Sequence, residues 1–107
     1  MIKVSVHYPN GEGATFDYDY YAQHHMPLVA QRLGSALKGT AIDRGIGGGG
    51  PGEPPAFLAS GHLLFDSVET FQAAFAPHAA EIEGDIPNYT NTKPTIVVNE
   101  VLGSPTI

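Results

Sequence analysis

Cysteine is absent from all 107 residues, which excludes disulfides, thiolate catalysis and cysteine-based zinc or iron–sulfur sites and is compatible with a reducing compartment. Basic residues are scarce. Lys3, Arg32, Lys38, Arg44 and Lys93 are scattered and the net charge is -6, so no basic stripe exists to neutralise phosphates, and nucleic acid is excluded as a partner. No stretch approaches the ~20 apolar residues of a membrane span. The opening MIKVSVHY has the alternation of a strand and lacks the long apolar region of a secretion signal, so the expectation is a cytoplasmic, unprocessed chain with no membrane contact. Charged residues make up only 15% against 42% hydrophobic, a shortage that points to extra covered surface, as a second copy of the chain would provide. The length fits a single domain over residues 1–107 with one modest core.

What is present centres on residues 16–33, FDYDYYAQHHMPLVAQRL. Asp17 is placed to cap a helix, because its carboxylate accepts from unpaired backbone N–H groups and suits the positive end of the dipole. Tyr21, His25, Leu28, Val29 and Arg32 then recur at helical spacing, which puts a phenol and an imidazole one above the other on the core side. Pro27 falls inside this pattern and predicts a kink near His24 and His25 that opens space beneath the ring. A neutral imidazole there can take a proton from a bound phenol or carbon acid, and the Tyr21 phenol can position or protonate an oxyanion. Tyr8, Phe71, Phe75 and Tyr89 are candidates to line an apolar pocket for a small apolar or aromatic ligand. His24 points about 100° away from His25 and is expected at the surface.

Along the chain, residues 2–8 alternate as a strand, Gly34 and Gly39 bracket a short helical remnant, and residues 40–46 predict a second strand. Residues 45–55, GIGGGGPGEPP, lack the Lys and Ser/Thr of a phosphate-binding loop and read as a connection between strands. Phe57–Phe65 is the clearest strand, with apolar residues on both faces. Asp66 or Ser67 caps a second helix, with Glu69 placed for a capping box, and Val68, Phe71, Phe75, Ala79 and Ile82 form its inward stripe across a break at Pro77. Residues 84–91 form a turn, and residues 95–102 a last strand apolar enough for an interior position or an intersubunit seam. The order βαββαβ predicts an α+β, ferredoxin-like fold: a four-stranded antiparallel sheet with both helices on one face. Its apolar second face predicts a homodimer in which two sheets form a barrel.

Tyr8-Pro9, Phe16, Tyr21, His25-Met26-Pro27, Phe65-Asp66-Ser67 with Phe71 and Phe75, and the run Asp85-Ile86-Pro87-Asn88-Tyr89-Thr90 together resemble the EthD family, first associated with ethyl tert-butyl ether degradation, within the dimeric α/β barrel superfamily. The resemblance implies a ligand site in the cleft between helices and sheet, with His25 on the first helix as the position carried over. Superfamily members include cofactor-free monooxygenases, haem-handling enzymes, isomerases and cyclases, so fold alone does not choose a reaction. The expectation is a cofactor-independent oxidoreductase or related enzyme, with His25 as proton acceptor and Tyr21 beside it. Two alternatives stand next to it: a carrier delivering a hydrophobic intermediate to a partner oxygenase, and a haem-binding enzyme using His25 or His78. A metal held by His7, His62 and His78 with Asp66 or Glu100 is disfavoured, since no two of these histidines have the i, i+3 or i, i+4 spacing that presents ligands together.

Overall fold

Alternation of Ile2, Val4, Val6 and Tyr8 makes β1 (Ile2–Pro9) a strand with one apolar face, and in the computed structural model, which describes residues 1–103, it takes an inner place in the sheet. The other strands are β2 (Gly39–Arg44), β3 (Phe57–Phe65) and β4 (Thr95–Glu100), in the order β2-β3-β1-β4 and antiparallel throughout. Val4 pairs with Leu63 and Val98, and Ser5 with His62 and Val97, so the two faces are separated without ambiguity.

Both helical segments lie over the face that carries Val4, Tyr8, Leu63 and Phe65. The first begins as α1 (Tyr18–Tyr20), passes through a π-helical turn (Tyr21–His25) and continues as α2 (Met26–Leu33). Asp17 caps it as expected, accepting from the Tyr20 N–H at 3.0 Å. Pro27 is accommodated by the π turn rather than by a simple kink: the Met26 N–H reaches back to the Tyr21 carbonyl, skipping one residue. That extra residue shifts the apolar stripe. Met26, Val29 and Leu33 are buried, whereas Arg32, expected on the core side, pairs with Glu81 at 2.7 Å near the surface. Gly34 ends the helix at φ 61°, a conformation that suits a residue without Cβ.

The second segment is α3 (Val68–Phe75) and α4 (Ala79–Gly84), joined by a 3₁₀ turn at Pro77. Its cap is Ser67, which accepts from the Thr70 N–H at 3.1 Å, so the box expected between Asp66 and Glu69 is replaced by a Ser67–Thr70 pair. Val68, expected in the inward stripe, is exposed at the first position of α3.

Strand ends differ from the expectation for local reasons. β4 stops at Glu100, not at residue 102, because its partner β1 begins at Ile2 opposite Glu100. It is also an edge strand, not an interior one, and the tail expected after residue 102 lies largely outside the described residues. β2 stops at Arg44, after which the 45–55 loop folds back, the Gly48 N–H bonding the Glu53 carbonyl at 2.9 Å. The face away from the helices is less apolar than expected. Its centre is a hydrogen-bonded patch in which His62 links Asp43 (2.6 Å) to Ser5 (2.8 Å) and His7 meets Ser60 (2.7 Å). Among the described residues no helix is long and apolar enough to cross a membrane.

Candidate functional site

A cavity of about 350 Å³ lies between the sheet and the two helical segments. Five of the six residues singled out from the sequence, Tyr8, Tyr21, His25, Phe71 and Phe75, line it. β1 supplies Tyr8, the π turn Tyr21 and His25, and α3 the two phenylalanines, whose rings stack at 5.5 Å. Lys93, Glu83 and Ile96 are exposed members of the lining and mark its mouth beside the β4 edge, while the tyrosines and His25 form its closed end.

The π turn places the rings of Tyr21 and His25 in parallel contact, centroids 5.4 Å apart and planes inclined by 16°. His25 is 4% exposed and both ring nitrogens are engaged. Nδ1 lies 2.9 Å from an Asp85 oxygen, and Nε2 lies 3.3 Å from the Tyr89 hydroxyl. Tyr89 is the sixth predicted residue and is not in the cavity lining. It stands behind it, with its hydroxyl 2.6 Å from that of Tyr8.

Asp85 was not expected at the site, and it governs the chemistry there. Its carboxylate also accepts from the Tyr20 hydroxyl at 2.6 Å and from the Asn88 amide at 2.9 Å. Partial burial opposes its ionisation, but these hydrogen bonds and His25 outweigh that and hold its pKa below the usual carboxylate range. Asp85 caps a 3₁₀ turn (Ile86–Asn88) that is tied to the first helix, since the Asp17 N–H bonds the Tyr89 carbonyl at 2.7 Å. That tie keeps Asp85 in register with His25.

An ionised carboxylate can only accept, so His25 Nδ1 carries the hydrogen and Nε2 presents a lone pair. Burial lowers the His25 pKa, with Asp85 opposing in part, so the ring is neutral near pH 7. Burial raises the pKa values of Tyr8, Tyr21 and Tyr89, keeping all three phenols protonated. The close approach of helix to sheet at this point depends on Gly61. A Cβ there would collide with the Tyr21 hydroxyl, a constraint that strand periodicity does not reveal.

The arrangement does not suit haem: His25 has both nitrogens committed, and His78 lies outside the cavity lining. Of the three histidines considered for a metal, His7 and His62 come together on the outer sheet face with rings 6.1 Å apart, while His78 is on the helical layer. Among the described residues no group of three or more His, Asp or Glu side chains could hold a metal ion.

Comparison with known proteins agrees with this fold. No curated protein matches the chain. An EthD-like protein from Ralstonia eutropha JMP134 superposes with a TM-score of 0.93 at 47% identity, covering 98% of this chain and 95% of the other. An ethyl tert-butyl ether degradation (EthD) family protein from Bacillus halodurans C-125 gives 0.72 at 20% identity, over 95% and 99% of the two chains. A dimeric protein of unknown function with a ferredoxin-like fold from Bacteroides fragilis NCTC 9343 gives 0.59 at 10% identity, over 94% and 95%, and speaks to the fold alone. The model of the EthD domain matches residues 10–93, and with the match at 47% identity it establishes that the chain belongs to the EthD family.

Proposed function

We propose that this chain binds a small apolar or aromatic molecule in the helix–sheet cavity and withdraws a proton from it, with His25 as acceptor, Asp85 as its anchor and no tightly held cofactor. The observation that carries the reading is the buried imidazole on the cavity wall whose Nδ1 is held at 2.9 Å by an ionised carboxylate. The pair leaves Nε2 with an acceptor lone pair, and Asp85 offsets part of the burial cost of the imidazolium that proton uptake creates; a positioned base of this kind contributes about 10²–10⁴-fold in rate. The resulting anion is electron-rich, and its oxidation by dioxygen is the cofactor-independent oxidoreductase reading.

A titration with 4-nitrophenol, whose absorption reports its protonation state, tests the proposal. The protein is expected to bind it saturably and to hold it as the anion at a pH below its solution pKa, whereas His25→Gln binds it as the neutral phenol. Equal ionisation by the variant would remove His25 from the role. Binding without ionisation by the unsubstituted protein would favour the carrier that hands a hydrophobic intermediate to a partner oxygenase.

We also propose that the chain acts as a homodimer through the sheet face away from the helices. Half-buried Leu58 and Val97 and buried Leu64 surround the Asp43–His62–Ser5 patch there. The hydrogen bonds within the patch lower the cost of covering it, because Ser5, Ser60 and His62 already have partners.

A further inference from the structure

Three tyrosines occupy the buried layer beside His25: Tyr8 is 1% exposed, Tyr21 2% and Tyr89 3%. An ordinary apolar core would take phenylalanine at such positions, as it does at Phe65, because a buried hydroxyl destabilises unless it is bonded. Here the hydroxyls stand in series. The Tyr8 hydroxyl lies 2.6 Å from that of Tyr89, and Tyr89 lies 3.3 Å from His25 Nε2, with the Tyr21 ring packed edge-on against Tyr8 at 5.5 Å between centroids.

The direction of the series is set from its far end. Because Asp85 only accepts, His25 donates from Nδ1 and accepts at Nε2, so Tyr89 donates to His25 and must itself accept from Tyr8. The oxygen of Tyr8 is left able to accept. The hydroxyls of Tyr8 and Tyr89 are both engaged as donors along the series. Tyr8 and Tyr21 line the cavity and Tyr89 does not. A ligand hydroxyl laid against this wall therefore meets, at the Tyr8 oxygen, an acceptor that is the first link of a string ending on a base.

We propose that the ligand class is a hydroxylated aromatic compound, a phenol or an enol, and that its proton reaches His25 through Tyr8 and Tyr89 rather than by direct contact. This rests on the reading of His25 as proton acceptor. In the step, the ligand O–H bond breaks as a new O–H bond forms at Tyr8. The original Tyr8 hydrogen moves to the Tyr89 oxygen, and the original Tyr89 hydrogen moves to His25 Nε2. The products are a ligand oxyanion, tyrosines that are again neutral, and an imidazolium facing ionised Asp85; no electrons change hands. Concerted transfer avoids any tyrosinate, which burial makes unfavourable at all three positions. Direct transfer to His25 would first have to displace Tyr89 from Nε2.

Titrations of the full chain with 4-nitrophenol and with its methyl ether, 4-nitroanisole, test the inference. The phenol is expected to bind at least about tenfold tighter than the ether, the difference a hydrogen-bonded hydroxyl makes, and to appear as the anion. Tyr89→Phe leaves the cavity wall, His25 and Asp85 in place, and is expected to bind the phenol but lose the anion band. Tyr8→Phe breaks the string one link earlier and is expected to lose both the anion and the preference for the phenol; it carries the test if Tyr89→Phe does not fold. Full ionisation by Tyr89→Phe would overturn the relay while leaving His25 as the base, and equal binding of phenol and ether would overturn the ligand class. Full ionisation by His25→Gln would instead overturn the reading on which the relay rests.

Discussion

His25 is held between two opposing influences, burial that favours the neutral ring and a carboxylate that favours the charged one, and burial dominates. Its pKa in the folded chain therefore lies below the ordinary value of 6.5. Between that ordinary value and the lower folded one, the unfolded chain holds a proton that the folded chain does not, so unfolding is favoured as pH falls through this window. The His25 contribution is fully present above about pH 6.5, declines below it and levels off once the folded pKa is passed. Asp85 acts lower still: its stabilisation is lost as pH falls through its depressed folded pKa, below the ordinary 3.8. His7 is also shifted down by burial and adds a slope of the same sign, so the informative quantity is a difference. Urea unfolding across this range is expected to show a smaller loss of stability on acidification for His25→Gln than for the unsubstituted chain. Equal slopes would mean that the ring is not held neutral by burial. The Tyr21–His25 pair was readable from residue spacing, because both sit on one short helical segment. Asp85 was not: it lies 60 residues from His25 and is brought to it by the tie between the 3₁₀ turn and the first helix.

Helix caps show how far local sequence reaches. Asp66 and Ser67 are both acceptable caps for α3, and a Glu three residues after Asp66 favours the first on pattern alone. The structure uses Ser67, whose backbone is extended and whose hydroxyl meets both the N–H and the hydroxyl of Thr70. Ser67→Ala is accordingly expected to cost about 1 kcal/mol in urea unfolding. Asp66→Ala, at an exposed position outside the helix, is expected to stay within about 0.5 kcal/mol. The reverse order would restore the Asp66–Glu69 box. The order of strands and helices followed directly from hydrophobic periodicity, and β3 was readable to its ends because apolar residues and breakers bound it on both sides. The π turn was not readable. Pro27 signals that the α-helical ladder must be interrupted, but whether the chain bends or inserts a residue depends on packing Tyr21 and Met26 together against Gly61.

At the scale of the whole molecule, the shortest dimension is 19 Å, the thickness of one sheet and one layer of helices. Such a two-layer body has one interior, here the cavity and its aromatic end, and leaves the other sheet face to be accounted for. The helices reach only the central strands: Ile96 on edge strand β4 remains 54% exposed on the helix side. The opposite face combines Leu58, Leu64 and Val97 with a polar patch whose histidines and serines are bonded to one another. An isolated subunit could solvate that patch through scattered polar groups. The orderly Asp43–His62–Ser5 line, with Phe57 stacked on His7 at 4.8 Å, is better suited to being covered by a like surface across a two-fold axis. A stable dimer needs about 800 Å² from each partner, so the pairing has to engage the whole four-stranded face. Sedimentation at micromolar concentration is therefore expected to give twice the 11.3 kDa chain mass. Replacing Leu58 and Val97 together by Arg sets like charges against each other across the axis and is expected to yield a monomer. Because these side chains lie on the far side of the sheet from Tyr8, Tyr21 and His25, that monomer is expected to keep 4-nitrophenol binding, which shows that the substitution has not simply unfolded the chain. Sedimentation of the unsubstituted protein as a single chain would refute the pairing, and so would a double-Arg variant that remains a dimer.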